Sequence, residues 1–103
     1  MITITDANFE AEVSDSSLPV IVDVWGDHCG SCRAMEPVLK QIATEREGQL
    51  KLCKLNLYDA PATGLRFNIR ALPTFLFFKE GELVGRHSGT ISKDGLLRVG
   101  GLL

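Results

Sequence analysis

Cys29 and Cys32 are the side chains best suited to chemistry, because two thiols three residues apart can interconvert between dithiol and disulfide. Their spacing sets a geometric condition. A disulfide holds its Cβ atoms about 3.5–4.5 Å apart, whereas i, i+3 neighbours on a regular helix stand about 5–6 Å apart. The run Cys29-Gly30-Ser31-Cys32 meets that condition where a strand hands over to a helix. Cys29 then sits at the non-helical entry, Cys32 lies in the first turn, and Gly30 permits the bend. Free N–H groups and the positive end of the helix favour a thiolate at Cys29, which is the attacking species in disulfide exchange. Cys32, one turn further in, is the natural resolving thiol. Two other uses of the motif stand beside this one. A zinc site needs four ligands, yet His28, Cys53 and His87 are the only spare soft ones and form no spaced pair, so no metal is expected. A purely structural disulfide is unusual in a reducing compartment.

The elements around the pair follow from periodicity. Val20 to Trp25 is β-branched and almost continuously apolar, which predicts a central strand covered on both faces. From Ser31 the period changes: Met35, Val38, Leu39 and Ile42 fall on one helical face, predicting a helix to about Glu47 with Gly48 as its stop. Pro37 lies inside it and predicts a kink. Leu50 to Leu57 is a second strong strand, and the strand–helix–strand order implies a parallel pair with a right-handed crossover. Upstream, Ile2 to Thr5 reads as a short strand. Asp6 is then placed to cap a helix over Ala7 to Val13, with Phe9 and Val13 on one face. Downstream, a short helix over Pro61 to Phe67 precedes a hairpin of Thr74 to Phe78 and Glu82 to His87, turning at Glu80-Gly81. Ser92 caps a last helix expected to run to Leu103, weakened by Gly95, Gly100 and Gly101. Together these predict an α/β layer plan with a mixed sheet.

Bulk properties remove several function classes. The chain has 103 residues, 45% hydrophobic and 23% charged, as expected for one domain over residues 1–103 with a real core. A net charge of −2, without aromatic residues interleaved among Lys and Arg, gives no support for nucleic-acid binding. No apolar run approaches the ~20 residues that span a bilayer, and no basic head with an apolar stretch opens the chain, so a cytoplasmic location without membrane contact is expected. Three cysteines are too few for a disulfide-stapled scaffold.

The run Val22-Asp23-Val24-Trp25-Gly26-Asp27-His28-Cys29-Gly30-Ser31-Cys32-Arg33 resembles the active-site segment of the thioredoxin family. Pro37 resembles the kinking proline of that family's long helix, Leu72-Pro73-Thr74 resembles its cis-proline loop, and Gly81 and Gly89 fall where it places glycines. The resemblance covers essentially the whole chain with element order intact. It implies a thioredoxin fold, a five-stranded mixed sheet flanked by four helices. It also implies reduction of disulfides in client proteins by a monomer. It further implies that no cofactor is bound and that electrons come from NADPH through a flavin-containing thioredoxin reductase. Carried over residue by residue, Cys29 is the nucleophile, Cys32 the resolving thiol, Asp23 the buried carboxylate that handles the second thiol's proton, and Lys54 its basic neighbour. Trp25, His28, Gly30 and Ser31 border the substrate. Leu72 and Pro73 line its groove, Leu72 pairing its backbone with the substrate chain, and Gly89 leaves room on the other side.

The residues themselves support Asp23 in that role. An ionised, unpaired acid inside a buried strand costs several kcal/mol, so its pKa is expected to rise toward that of a proton acceptor for Cys32. The plainer reading is an Asp satisfied by neighbouring backbone. Lys54 is equally compatible with a stem that snorkels to the surface. Trp25 reads as a cover for the site or a packed core aromatic, and Cys53 as a small core hydrophobe.

Three positions depart from the family pattern: His28 replaces a tryptophan, Ser31 a proline, and Tyr58 sits where an acid is common. Ser31 brings a backbone N–H and a hydroxyl near the Cys29 sulfur, which favours thiolate and a less reducing couple. His28 adds positive charge when protonated, or serves partner recognition. These departures leave open an oxidase or isomerase on the same fold, or a binding module without turnover. The presence of both cysteines and Asp23 argues against the binding module.

Overall fold

The computed structural model describes all 103 residues. Five strands form one sheet: β1 (Ile2–Ile4), β2 (Val20–Trp25), β3 (Lys51–Asn56), β4 (Thr74–Lys79) and β5 (Glu82–Ser88). Four α-helices accompany them: α1 (Gly30–Ala34), α2 (Glu36–Glu45), α3 (Pro61–Arg66) and α4 (Lys93–Val99). The strand order is β1-β3-β2-β4-β5. β3 runs parallel to both β1 and β2, while β4 is antiparallel to β2 and to β5, so the sheet is mixed as expected. The Thr74–Lys79 and Glu82–Ser88 strands are joined by Glu80 and Gly81, both at positive φ (53° and 80°). A Cβ on Gly81 would also meet the Ser14 carbonyl oxygen at 2.8 Å, so this turn demands glycine there.

β2 lies at the centre and is buried from Val20 to Val24. Alternation along it divides the core. Val20, Val22 and Val24 join Phe9, Val13, Leu55, Leu76 and Phe78 on one face; Ile21 joins Met35, Leu39, Ile42, Phe75, Phe77 and Leu96 on the other. Asp23 shares the Ile21 face, with Lys54 of β3 and Phe75 of β4 as its cross-strand partners. Cys53, one residue from Lys54, faces the opposite way and is fully buried.

Four local expectations are corrected. Asp6 does not cap the helix that follows it; its carboxylate accepts from the Ala62 N–H (3.1 Å), the Thr63 N–H (2.9 Å) and the Thr63 hydroxyl (2.7 Å). It therefore caps α3, which sequence proximity does not suggest. The Ala7–Val13 segment closes instead as a turn into a π-helical segment over Glu10–Ser14, which still buries Phe9 and Val13 together. The long helix is interrupted at Met35, in the turn before Pro37, as the predicted kink requires, but it stops at Glu45 rather than about Glu47. Proline has no N–H and its ring crowds the carbonyl four residues back, so it is tolerated in the first turn of a helix, where α2 places it. The last helix has the expected Ser92 cap, 3.1 Å from the Gly95 N–H, but ends at Val99; Gly100 and Gly101 turn the chain away before Leu103.

Candidate functional site

The β2 strand delivers the chain through Gly26, Asp27 and His28 to Cys29. Asn56 Nδ2 donates to Asp27 Oδ1 (3.2 Å) and Arg33 Nη1 to the Asp27 carbonyl (3.3 Å), which ties the loop to β3 and α1. Cys29 itself is extended (φ −115°, ψ 99°) and forms the N-cap of α1; its Sγ accepts from the Cys32 N–H at 3.1 Å. The two cysteines are joined by a disulfide with Cα atoms 5.2 Å apart. They are unequal in exposure: Cys29 is half-buried and Cys32 is 3% exposed. The geometry corrects the expected part of Gly30. Its φ is negative, and a side chain there would meet nothing closer than Arg33 Nη2 at 3.9 Å. The bend is made by the extended Cys29, which any L-residue can adopt.

Ser31 connects the pair to the loop before β4. Its hydroxyl lies 3.4 Å from Cys29 Sγ and 3.5 Å from the Leu72 carbonyl, to which it can donate. The N–H that reaches the sulfur belongs to Cys32 rather than Ser31. Leu72–Pro73 is a cis peptide bond, and the Leu72 N–H has no partner within the chain. The Pro73 carbonyl accepts from the Gly89 N–H (2.8 Å), and Thr74 Oγ1 donates to the Ala71 carbonyl (2.6 Å). Gly89 has φ +96° with open space where a Cβ would stand, so Leu72, Pro73 and Gly89 are brought together as one ledge beside the cysteines. His28 is exposed at the rim.

On β2, Asp23 is 1% exposed and neither carboxylate oxygen has a hydrogen-bond partner. Burial pushes its carboxyl up to about 7, with Lys54 offsetting part of the rise and Glu36 adding to it. The Lys54 ammonium pairs with Glu36 Oε1 and stands 4.9 Å over the Trp25 ring. Asp23, Lys54 and Trp25 are therefore brought together, with Lys54 neither snorkelling freely nor bonded to Asp23. Glu36 was not legible as part of this group. One signal was in the sequence: Glu36 is the first acid after the cysteine pair, four residues past Cys32. Glu36 opens α2 and reaches Lys54, so the start of α2 lies over that part of the sheet. Burial raises the Cys53 thiol to about 11, with Lys51 offsetting part, so it does not resemble an exchanging sulfur.

This arrangement can store two electrons on sulfur and hold one proton on a carboxyl. The Thioredoxin family model matches residues 1–99. Among curated relatives, the chain is 38% identical over 96 residues to a thioredoxin of Pseudomonas aeruginosa, covering 93% of this chain and 89% of that one. It is 42% identical to a thioredoxin of Pyropia yezoensis and 41% identical to one of Synechocystis, each over 93 residues, 90% of this chain and 87% of theirs. A match of that extent, centred on a bridged Cys29–Cys32 pair at a strand-to-helix junction, has one meaning: the chain belongs to the thioredoxin family and is a thiol–disulfide oxidoreductase.

Proposed function

We propose that this oxidoreductase reduces disulfides of client proteins through one thioredoxin domain over residues 1–103, with Cys29 as nucleophile and Cys32 as resolving thiol. The Cys29 thiolate attacks a client disulfide; one Cys29–client sulfur bond forms and the client's other sulfur leaves as thiolate and takes up a proton. Asp23, as carboxylate, accepts the Cys32 proton. The Cys32 sulfur then attacks Cys29, the mixed disulfide breaks, and the client leaves with two electrons more than it brought. The Cys29–Cys32 disulfide that remains is the state seen here.

The observation that carries the assignment is the unequal exposure of the two sulfurs, in a molecule that also buries an unpartnered carboxyl on the strand leading to them. A client can approach Cys29, while Cys32 is shielded from it. Lys54 acts as the basic neighbour that limits how far the Asp23 pKa rises. The ledge of Leu72, Pro73 and Gly89 receives the client backbone through the free Leu72 N–H, bordered by Trp25, His28, Gly30 and Ser31. The reduced dithiol is restored by a flavin-containing thioredoxin reductase using NADPH, in the cytoplasm, with the protein as a monomer. No helix is long and apolar enough to cross a membrane.

The Ser31 hydroxyl beside Cys29 favours a second emphasis, a couple less reducing than its proline counterpart and more suited to isomerisation. A coupled assay with NADPH, thioredoxin reductase and a disulfide-bonded protein tests the main reading. Rapid NADPH consumption that vanishes in Cys29→Ser is expected. Absent turnover, with partner binding retained in Cys29→Ser, would make the protein a binding module instead.

A further inference from the structure

We infer that Glu36 is a positioning residue for the Cys32 proton transfer: it holds the Lys54 ammonium while Asp23 carries the proton, and yields it to the Asp23 carboxylate when that proton is gone. The inference rests on the proton-acceptor part proposed for Asp23 and adds the device that decides when Asp23 is a base. Lys54 is the cross-strand partner of Asp23, so the two side chains leave neighbouring strands on one face of the sheet. A lysine rooted about 5 Å from the Asp23 backbone is placed to neutralise the acid. It does not. Asp23 has neither a hydrogen-bond partner nor an ion pair, and the ammonium is on Glu36 at the start of α2.

The ammonium stands 4.9 Å over the ring of Trp25, two residues and about 7 Å beyond Asp23 along β2. Lysine carries a compact charge on a flexible stem with three donors, so it can turn between two acids. Side-chain exposures of 23% for Lys54 and 30% for Glu36 let that exchange occur without unpacking the core. The other elements on this face bring no competing charge. β4 opposes Asp23 with Phe75, and His87 of β5 lies beyond Phe75 in the same row. Past Glu36, α2 contributes Leu39 and Ile42, and α4 contributes Leu96. The protons balance through one cycle. In the disulfide state a protonated Asp23 needs no counter-charge, and Lys54 pairs with Glu36 as seen. When the pair is reduced, Asp23 gives its proton to the Cys32 sulfur and, as a buried carboxylate, draws Lys54 away. When Cys32 attacks the Cys29–client bond its proton returns to Asp23, and Glu36 takes the ammonium back. Without Glu36, Lys54 would stay on Asp23 and leave it a weaker base.

Reaction of the reduced protein with dithiobis(nitrobenzoate) tests the exchange. Cys29 releases one coloured thiolate on attack, and Cys32 releases the second when it resolves the mixed disulfide. The rate of the second release, followed against pH, reports the acceptor of the Cys32 proton. Its midpoint should fall by about one pH unit in Glu36→Gln, with a plateau about threefold slower, because Lys54 then stays on Asp23. Lys54→Gln should raise the midpoint. Adding Glu36→Gln to it should then move the midpoint less than about half as far as in the wild type, because no ammonium is left to exchange. A midpoint that Glu36→Gln leaves in place, or moves equally with and without Lys54, would overturn the inference while leaving Asp23 as the acceptor. An Asp23→Asn protein with the wild-type pH profile would overturn the reading beneath it, and the inference with it.

Discussion

At Cys29 the backbone is still extended, and one residue later it is helical; the sulfur therefore collects the Cys32 N–H and the Ser31 hydroxyl without any rearrangement. A hydrogen bond to a thiolate of ~1.5–3 kcal/mol corresponds to roughly 30–60 mV in a two-electron couple. Ser31→Pro should accordingly lower the reduction potential by about that amount; redox titration of both proteins checks it, and an equal or higher potential in the variant contradicts it. Glu36 pairs with Lys54 and its negative charge acts against ionisation of Asp23, so it helps keep the Asp23 carboxyl up at about 7. Glu36→Gln should move the Asp23 titration downward, read by NMR of its carboxyl carbon; an unchanged or higher midpoint would show that Glu36 does not act on Asp23. The acid inside a β-branched run was legible from residue order alone, because burial without a partner is a property of the strand. Glu36 was not, since its importance depends on how α2 meets β3. Gly30 misled for a related reason: glycine permits a bend but does not require one.

Elements were legible where a single period dominated. β2, β3 and the hairpin are found where Val20–Trp25, Leu50–Leu57 and the two runs around Glu80-Gly81 predicted them, to within a residue or two. Less legible were helix ends, which are decided by contacts from elsewhere in the chain. Asp6 illustrates this: a good capping residue in front of an apolar pair, it instead spans 56 residues to the first turn of α3. α3 is short and begins with Pro61, so an outside cap matters to it. Hydrogen bonds from the Thr63 hydroxyl and N–H lower the Asp6 pKa. Its stabilising contribution is present above the ordinary carboxyl range and is lost as pH falls through the lowered value. Asp6→Ala should lower the melting temperature at neutral pH and speed amide exchange at Ala62 and Thr63 before β2 exchanges. Unchanged exchange there would show that α3 caps itself.

Across the whole molecule, the site has a cost that the fold carries. Asp23 titrates near 7 when folded and near 3.8 when exposed. Between those values the folded chain holds a proton that the unfolded chain releases, so stability falls as pH rises, by ~1.4 kcal/mol per unit, reaching about 4 kcal/mol above pH 7. Oxidised Asp23→Asn should lack that decline and withstand more denaturant than the wild type at pH 8, with little difference at pH 4. Equal pH slopes in guanidinium titrations would mean that Asp23 is not held neutral by burial. The central claim, however, concerns which sulfur meets the client, and trapping addresses it most directly. Cys32→Ser should accumulate a mixed disulfide with a client peptide, and mass spectrometry of its fragments should place the bond on Cys29. A bond on Cys53, or no adduct under conditions where the wild-type protein turns over, would contradict the account.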